Sequence, residues 1–280
     1  MGRLRRVDAE LVRRSLARSR TQARELIEAG RVRLDGEVVR KPARQMDPAQ
    51  ALLVEEGAGE DYVSRGAYKL MGALEYLGDN APVIHGRYCL DAGASTGGFT
   101  DVLLRRGAKH VLAVDVGYGQ IAWRLREDPR VSLLERTNVR TLDPTLVGSP
   151  AQLIVGDLSF ISLTLVIPAL VTVSAPDADF LLMVKPQFEI GRERLGAGGV
   201  VRNSEHHHEA VCTVAYAARE AGLVIRAVAP SPLPGPAGNV EYFLSMSRSG
   251  DDVLDLDEAV AQAIADGPAA QSQPQEQEEK

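Results

Sequence analysis

Apolar positions in the first fifty residues follow two different periods in succession. Val7, Leu11 and Leu16 fit one face of a first helix, and Ala23, Leu26, Ile27 and Ala29 fit the face of a second. Ser19 stands where a side-chain cap would open that second helix, and Gly30 where a left-handed residue would close it. The period then drops to two. Arg31-Val32-Arg33-Leu34-Asp35-Gly36-Glu37-Val38-Val39 alternates about Asp-Gly, the signature of a tight hairpin. Helical spacing returns in Tyr68, Leu70, Met71, Leu74 and Leu77. Beyond Gly86, apolar runs at 87–91, 110–115, 131–135, 151–156, 179–185, 223–229 and 240–246 read as seven strands. Strands separated by helical stretches predict a doubly wound, mostly parallel α/β sheet.

This pattern divides the chain into a small α+β unit at 1–56, a linker at 57–65 and an α/β domain at 66–250. From residue 251 the periodicity fades, and the segment 251–280 is expected to be an acidic, disordered tail. The net charge of −6 conceals an asymmetry: residues 1–45 hold thirteen Lys and Arg against six acids, and the tail holds nine acids and one Lys. A basic block in an acidic chain is the footprint of a local nucleic-acid contact, although a solvated helix face reads the same way. No apolar run approaches the ~20 residues needed to cross a bilayer, and no signal core follows the basic N-terminus, so a cytoplasmic protein is expected. Cys89 and Cys212 stand far apart, which suggests neither a disulfide framework nor a Cys-based metal site.

The most informative chemistry lies in Cys89-Leu90-Asp91-Ala92-Gly93-Ala94-Ser95-Thr96-Gly97-Gly98-Phe99-Thr100. A strand runs into a Gly-rich turn that opens a helix, bringing bare backbone and free amide donors to a ligand. The spacing is not the dinucleotide fingerprint, and Asp91 ahead of the turn suits a cationic amino group better than a pyrophosphate. Asp115, closing the next strand, can accept from both hydroxyls of a ribose. Together they favour S-adenosylmethionine over a dinucleotide, with a merely structural turn still open. Asn138, after the third strand, is placed to meet an adenine or simply to form a turn. Four more ionisable residues occupy matching topological places. Lys69 lies on the helix before the first strand, Asp157 follows the fourth, Lys185 closes the fifth and Glu241 opens the last. Residues at the carboxyl ends of neighbouring strands converge on one crevice in an open α/β sheet.

The string S-R-T-Q-A-R-E-L-I-E-A-G-R-V-R-L-D-G-E-V-V resembles the RNA-binding domain of small-subunit ribosomal protein S-four. The strings S-R-G-A-Y-K-L, L-D-A-G-A-S-T-G-G-F-T, V-D-V-G-Y-G-Q, G-D-L-S-F-I-S-L, V-K-P-Q-F-E and G-N-V-E-Y-F resemble FtsJ-type ribose methyltransferases. In combination and order, the chain is similar to the TlyA family, also called hemolysin A, over roughly residues 3–247. That resemblance implies a Rossmann-like class I methyltransferase fold and a ribosomal RNA cytidine 2′-O-methyltransferase acting on 16S or 23S RNA, or both. It implies Lys69, Asp157, Lys185 and Glu241 as the catalytic set, and a link to capreomycin susceptibility. The cofactor contacts it implies are Asp91, Gly93, Ala94, Ser95, Thr96, Gly97, Gly98, Asp115, Asn138 and Asp157. Phosphate contacts are expected from Arg5, Arg6, Arg20, Arg24, Arg31, Arg33 and Arg65, with ribosomal RNA as partner and a monomer as default.

Other features carry less. His206, His207 and His208 are consecutive, so on a helix they point apart and cannot chelate one ion together; no metal is expected. Trp123 reads as packing. The Gly-rich stretch Pro186–Val200, with Gly191, Gly196, Gly198 and Gly199, reads as a loop over RNA or as a loose connection. Three rival functions are weighed: a hemolysin, which no spanning segment, signal peptide or free amphipathic basic helix supports; a non-catalytic RNA-binding assembly factor, against which the four ionisable residues speak; and a methyltransferase of a small molecule or protein, which would leave the basic N-terminal unit without a partner.

Overall fold

Asp35 (φ 51°) and Gly36 (φ 88°) both adopt left-handed backbone, the geometry of a two-residue hairpin turn whose twist matches its strands. The hairpin belongs to the first of two units, Met1–Asp61 and Tyr62–Lys280, in a computed structural model that describes residues 4–14, 16, 17, 19–54 and 62–268. The first unit contains β1 (Arg5–Arg6), α1 (Val7–Arg13), α2 (Arg20–Glu28), β2 (Val32–Leu34), β3 (Glu37–Val38), β4 (Gln45–Met46) and β5 (Leu52–Val54). Its sheets run β3-β2-β5 and β1-β4, all antiparallel. Ser19 Oγ accepts from Gln22 N at 3.2 Å, capping α2, and Gly30 (φ 70°) closes it. Val7, Leu11, Ala23, Ile27, Val32, Leu34 and Met46 form the core. The helices are shorter than their spacing predicts, because Leu16 lies beyond α1 and Ala29 remains exposed.

The second unit follows as α3 (Gly66–Leu77), β6 (Tyr88–Ala92), α4 (Gly98–Arg105), β7 (His110–Val114), α5 (Trp123–Arg126), β8 (Val131–Leu134), α6 (Pro144–Val147) and β9 (Ala151–Gly156). Then come α7 (Ile167–Thr172), β10 (Ser174–Val184), α8 (Ser204–Glu220), β11 (Val224–Pro230), β12 (Tyr242–Ser247) and α9 (Leu256–Asp266). The sheet order is β11-β12-β10-β9-β6-β7-β8, parallel except for β12, which runs against both neighbours. Neighbouring residues serve opposite faces. Ile154, Leu182 and Leu244 pack with α8, and Leu153, Leu181 and Phe243 pack with α3 and α4. Both faces are buried, which is why these strands read as continuous apolar runs. The chain winds from β6 to one edge, then returns to β9 on the other side of β6. A crevice therefore opens at the carboxyl ends of β6 and β9.

Two boundaries differ from expectation. The segment expected to be a tail contains α9, which places Leu256, Val260 and Ala263 against the core. Its spacing of i, i+4 and i+7 is helical, and the acids that suggested disorder sit where a helix favours them. Asp255 Oδ1 accepts from Glu258 N at 3.0 Å, and Asp257 and Glu258 occupy the first turn. Residues 269–280 lie outside the described residues. The expected linker also ends early: Val63 is buried and donates its N–H to Asp101 Oδ2 at 2.9 Å, so 62–65 belong to the second unit.

Candidate active site

The turn between β6 and α4 bends through left-handed backbone at Gly93 (φ 83°), Ser95 (φ 49°) and Gly97 (φ 95°). A Cβ on Gly93 would lie 2.9 Å from the Asp157 carbonyl oxygen, and one on Gly97 would collide with Leu125. Bare backbone thus lines the crevice. Asp91, fully buried at the end of β6, accepts from Thr100 Oγ1 through Oδ2 at 2.7 Å, while its Oδ1 is buried with no partner. Burial pushes this carboxyl up to about 7, against the hydrogen bond from Thr100. A ligand's cationic amino group is the kind of partner such an oxygen lacks.

Asp115, just past β7, accepts from Ser95 N at 2.8 Å and from Gly117 N at 2.7 Å, one to each oxygen. Each oxygen keeps a further lone pair, enough for the two hydroxyls of a ribose. Ala94 and Ser95 line the hollow beside it, together with Gln120 and Ile121. Thr96 lends its carbonyl to Ala122 N at 3.1 Å, and Gly98 starts α4. Asn138 Oδ1 accepts from Arg140 N at 3.0 Å and opens a short 3-10 turn, which leaves its amide NH2 and one oxygen lone pair for a ligand.

Beyond the turn lie two ion pairs, one buried and one half-buried at its acid. Lys69, from α3, places Nζ 2.5 Å from Glu241 Oε2, and the two residues are only 8% and 1% exposed. Lys185 places Nζ 2.5 Å from Asp157 Oδ1 and donates to Ser159 Oγ at 2.8 Å. Strand register explains the convergence. Leu182 lies beside Gly156 and Val184 opposite Tyr242, so Asp157, Lys185 and Glu241 fall on the same end of β9, β10 and β12. Only because β12 is reversed does its first residue, rather than its last, reach this end.

Three residues here escaped sequence reading. Ser159 holds Lys185. Phe160 (φ 65°) is 90% exposed, with its ring centroid 5.2 Å from that of Phe188. Glu189 accepts from Ser162 Oγ at 2.5 Å and from Leu163 N at 2.9 Å, clamping the loop after β9 to the loop after β10. Burial raises the Glu189 carboxyl, and those two donors oppose the rise. Their motif strings could have pointed to them, but no local rule pairs residues 26 or 27 apart.

The basic side chains of the first unit are organised around two buried acids. Asp8 is shared by Arg6 (2.8 Å) and Arg20 (2.9 Å), and Glu10 by Arg5 (3.5 Å), Arg13 (2.6 Å) and Arg14 (2.9 Å). The arginine hydrogen bonds hold both carboxyls down at about 2, Asp8 chiefly through Arg6 and Glu10 chiefly through Arg13. Each cluster has more arginines than acids and keeps net positive charge. Arg24 is exposed on α2; Arg31 just before β2 and Arg33 within it are half-buried, and Arg33 donates to Gly36 O at 3.2 Å. Arg65, exposed, heads α3 in the second unit. Trp123 is 73% exposed, a correction to the packing role, because four-residue α5 buries only Leu125. The stretch after Lys185 is tethered: Asn239 accepts from Val201 N at 2.9 Å and donates to Gly199 O at 3.0 Å.

Residues 62–248 match the FtsJ-like methyltransferase family and residues 5–50 match the S4 domain. The 16S/23S rRNA (cytidine-2′-O)-methyltransferase TlyA of Mycobacterium tuberculosis is 55% identical over 271 residues, covering 96% of this chain and 100% of that one. The chain belongs to the TlyA family of FtsJ-like methyltransferases. Family names differ. A relative from Brachyspira hyodysenteriae, 34% identical over 80% of this chain and 92% of its own, is named Hemolysin A. A solved hemolysin-named structure from Streptococcus thermophilus is 37% identical with TM-score 0.72, covering 93% of this chain and 95% of that one. Among the described residues, no helix is long and apolar enough to cross a membrane.

Proposed function

We propose that this methyltransferase uses S-adenosylmethionine to methylate the ribose 2′-hydroxyl of a cytidine in ribosomal RNA of the 30S or 50S subunit, or both, in the cytoplasm. The observation that carries the reading is the pair of Lys–carboxylate contacts, each with a buried lysine, beside a bare-backbone turn that has an orphaned acid of its own. Asp91 would meet the cofactor's amino group, Asp115 its ribose, and the backbone of 93–98 its length. When bound, the cofactor supplies an electrophilic methyl group.

The chain's own residues must then solve the remaining problem, a hydroxyl that is a weak nucleophile until its proton is removed or polarised. Lys185, fixed by Asp157 and Ser159, takes or polarises that proton as the new carbon–oxygen bond forms. Asp157 and Glu241 set the position and charge state of the two lysines, so that Lys185 takes the proton only as the neutral amine and otherwise polarises the hydroxyl as an ammonium, and Lys69 stabilises the developing oxyanion. Phe160 offers an exposed face against which the target base can rest. The first unit supplies phosphate contacts and affinity without sequence reading.

The test is transfer of labelled methyl to 30S and 50S subunits lacking native modifications, with Lys185→Ala alongside. Label at one alkali-resistant nucleotide, reduced at least about 100-fold in the variant while cofactor binding persists, is expected. Full activity in the variant refutes the assignment. No label on either subunit, with cofactor bound, would favour an RNA-binding assembly factor.

A further inference from the structure

The three histidines at 206–208 part company, and one of them finds new partners. His207 is buried and donates Nε2–H to Val201 O at 3.0 Å, which leaves Nδ1 to accept from Tyr242 OH at 3.1 Å. His208 turns the other way. One helical turn later on the same face of α8 stands Cys212, and the first turn of α9 brings Asp257 between them. His208 Nε2 lies 3.2 Å from Asp257 Oδ1; Cys212 Sγ lies 3.8 Å from that oxygen and 4.0 Å from Nε2. A spacing of i, i+4 is the one at which two helical side chains can share an ion.

These separations can be compared with what an ion would require. Zinc bonds are ~2.0 Å to oxygen, ~2.05 Å to nitrogen and ~2.3 Å to sulfur in a tetrahedron. They imply ligand separations of about 3.3 Å for N–O and about 3.5 Å for each pair involving sulfur. The observed triangle matches the first edge and exceeds the other two by a few tenths of an ångström, within reach of small χ rotations. The donor set of thiolate, imidazole and one carboxylate is too soft for magnesium or calcium and suits zinc. The Asp257 side chain is 69% exposed, so water can reach a fourth vertex. The nearby cation, Arg219, is engaged by Asp252 at 2.8 Å and 2.9 Å. We propose that His208, Cys212 and Asp257 form a zinc site that pins α9 to α8. Binding would displace the thiol proton to solvent and leave a Zn–S bond.

The test uses untagged, full-length protein stripped with chelator. Titration with Co2+ should give one equivalent of binding with a near-ultraviolet thiolate-to-cobalt band that zinc displaces, and zinc should raise the unfolding temperature. Asp257→Asn, at an exposed position that tolerates substitution, should weaken binding by about tenfold or more. Cys212→Ser should abolish the band, whereas Cys89→Ser should leave it intact. Absence of stoichiometric binding, or binding unchanged in Asp257→Asn and Cys212→Ser, would overturn the site.

Discussion

Replacing Asp91 by Asn removes one buried negative charge while preserving shape and the acceptor for Thr100. The folded carboxyl stands at about 7 against an ordinary 3.8. Between those values the folded protein holds a proton that the unfolded chain has released, so stability falls as pH rises, by up to about 1.4 kcal/mol per unit. Above about 7 the loss stops growing. Integrated from pH 5 to 7.5, this one group costs wild type about 2.5 kcal/mol that the Asn variant does not lose. Urea unfolding of both proteins across that window measures the effect, and every other titrating group cancels in the difference. Cofactor binding supplies the opposite sign. A cationic amino group favours the ionised acid, so wild-type affinity should rise through about pH 7, whereas the variant should bind about tenfold to a hundredfold more weakly. The ligand's own titration is common to both proteins. A stability difference that stays flat with pH would refute the buried-charge reasoning. Equal affinity would refute contact between Asp91 and the cofactor.

Glu189→Ala should release the loop that carries Ser159 and Phe160, lowering kcat more than it raises KM, with Glu189→Gln partly restoring activity in the same methyl-transfer assay. Equal loss in both variants would mean that charge, rather than the clamp, matters. Arg24→Glu with Arg33→Glu should weaken RNA binding and flatten its dependence on salt, since each lost phosphate contact releases fewer counterions. An unchanged salt slope in a filter-binding titration would place the RNA surface elsewhere. Leu256→Ala should lower unfolding free energy by about 2–3 kcal/mol in urea, because its side chain is 5% exposed in the core. A segment that behaves as a tail would show no change.

The sheet was legible because its strands are buried on both faces and bounded by Gly-rich turns; all seven expected runs contain a strand. The first unit was legible through Ser19, Gly30 and Asp35-Gly36, where local backbone chemistry decides. The lysines and acids proposed as catalytic could be placed by topology, since each falls at a strand end or on the preceding helix. What could not be read depends on distance in sequence. Ser159 reaches Lys185 across 26 residues and Ser162 reaches Glu189 across 27. The arginines of the first unit were counted as charge, while their pairing with Asp8 and Glu10 required helices already docked. The helix at 256–266 was hidden by composition: acids that look like a solvated tail were capping and first-turn residues.

The late position of β12 in the chain also sets an order of events during synthesis. Lys69 and Glu241 stand 172 residues apart, and the strand that closes their pair is the last of the described strands to leave the ribosome. The first unit, complete by residue 61, is free to fold while that strand is still being made. A newborn chain thus acquires its grip on RNA well before its chemistry. Until β12 slips in against the grain, Lys69 lacks the carboxylate that Glu241 brings to it.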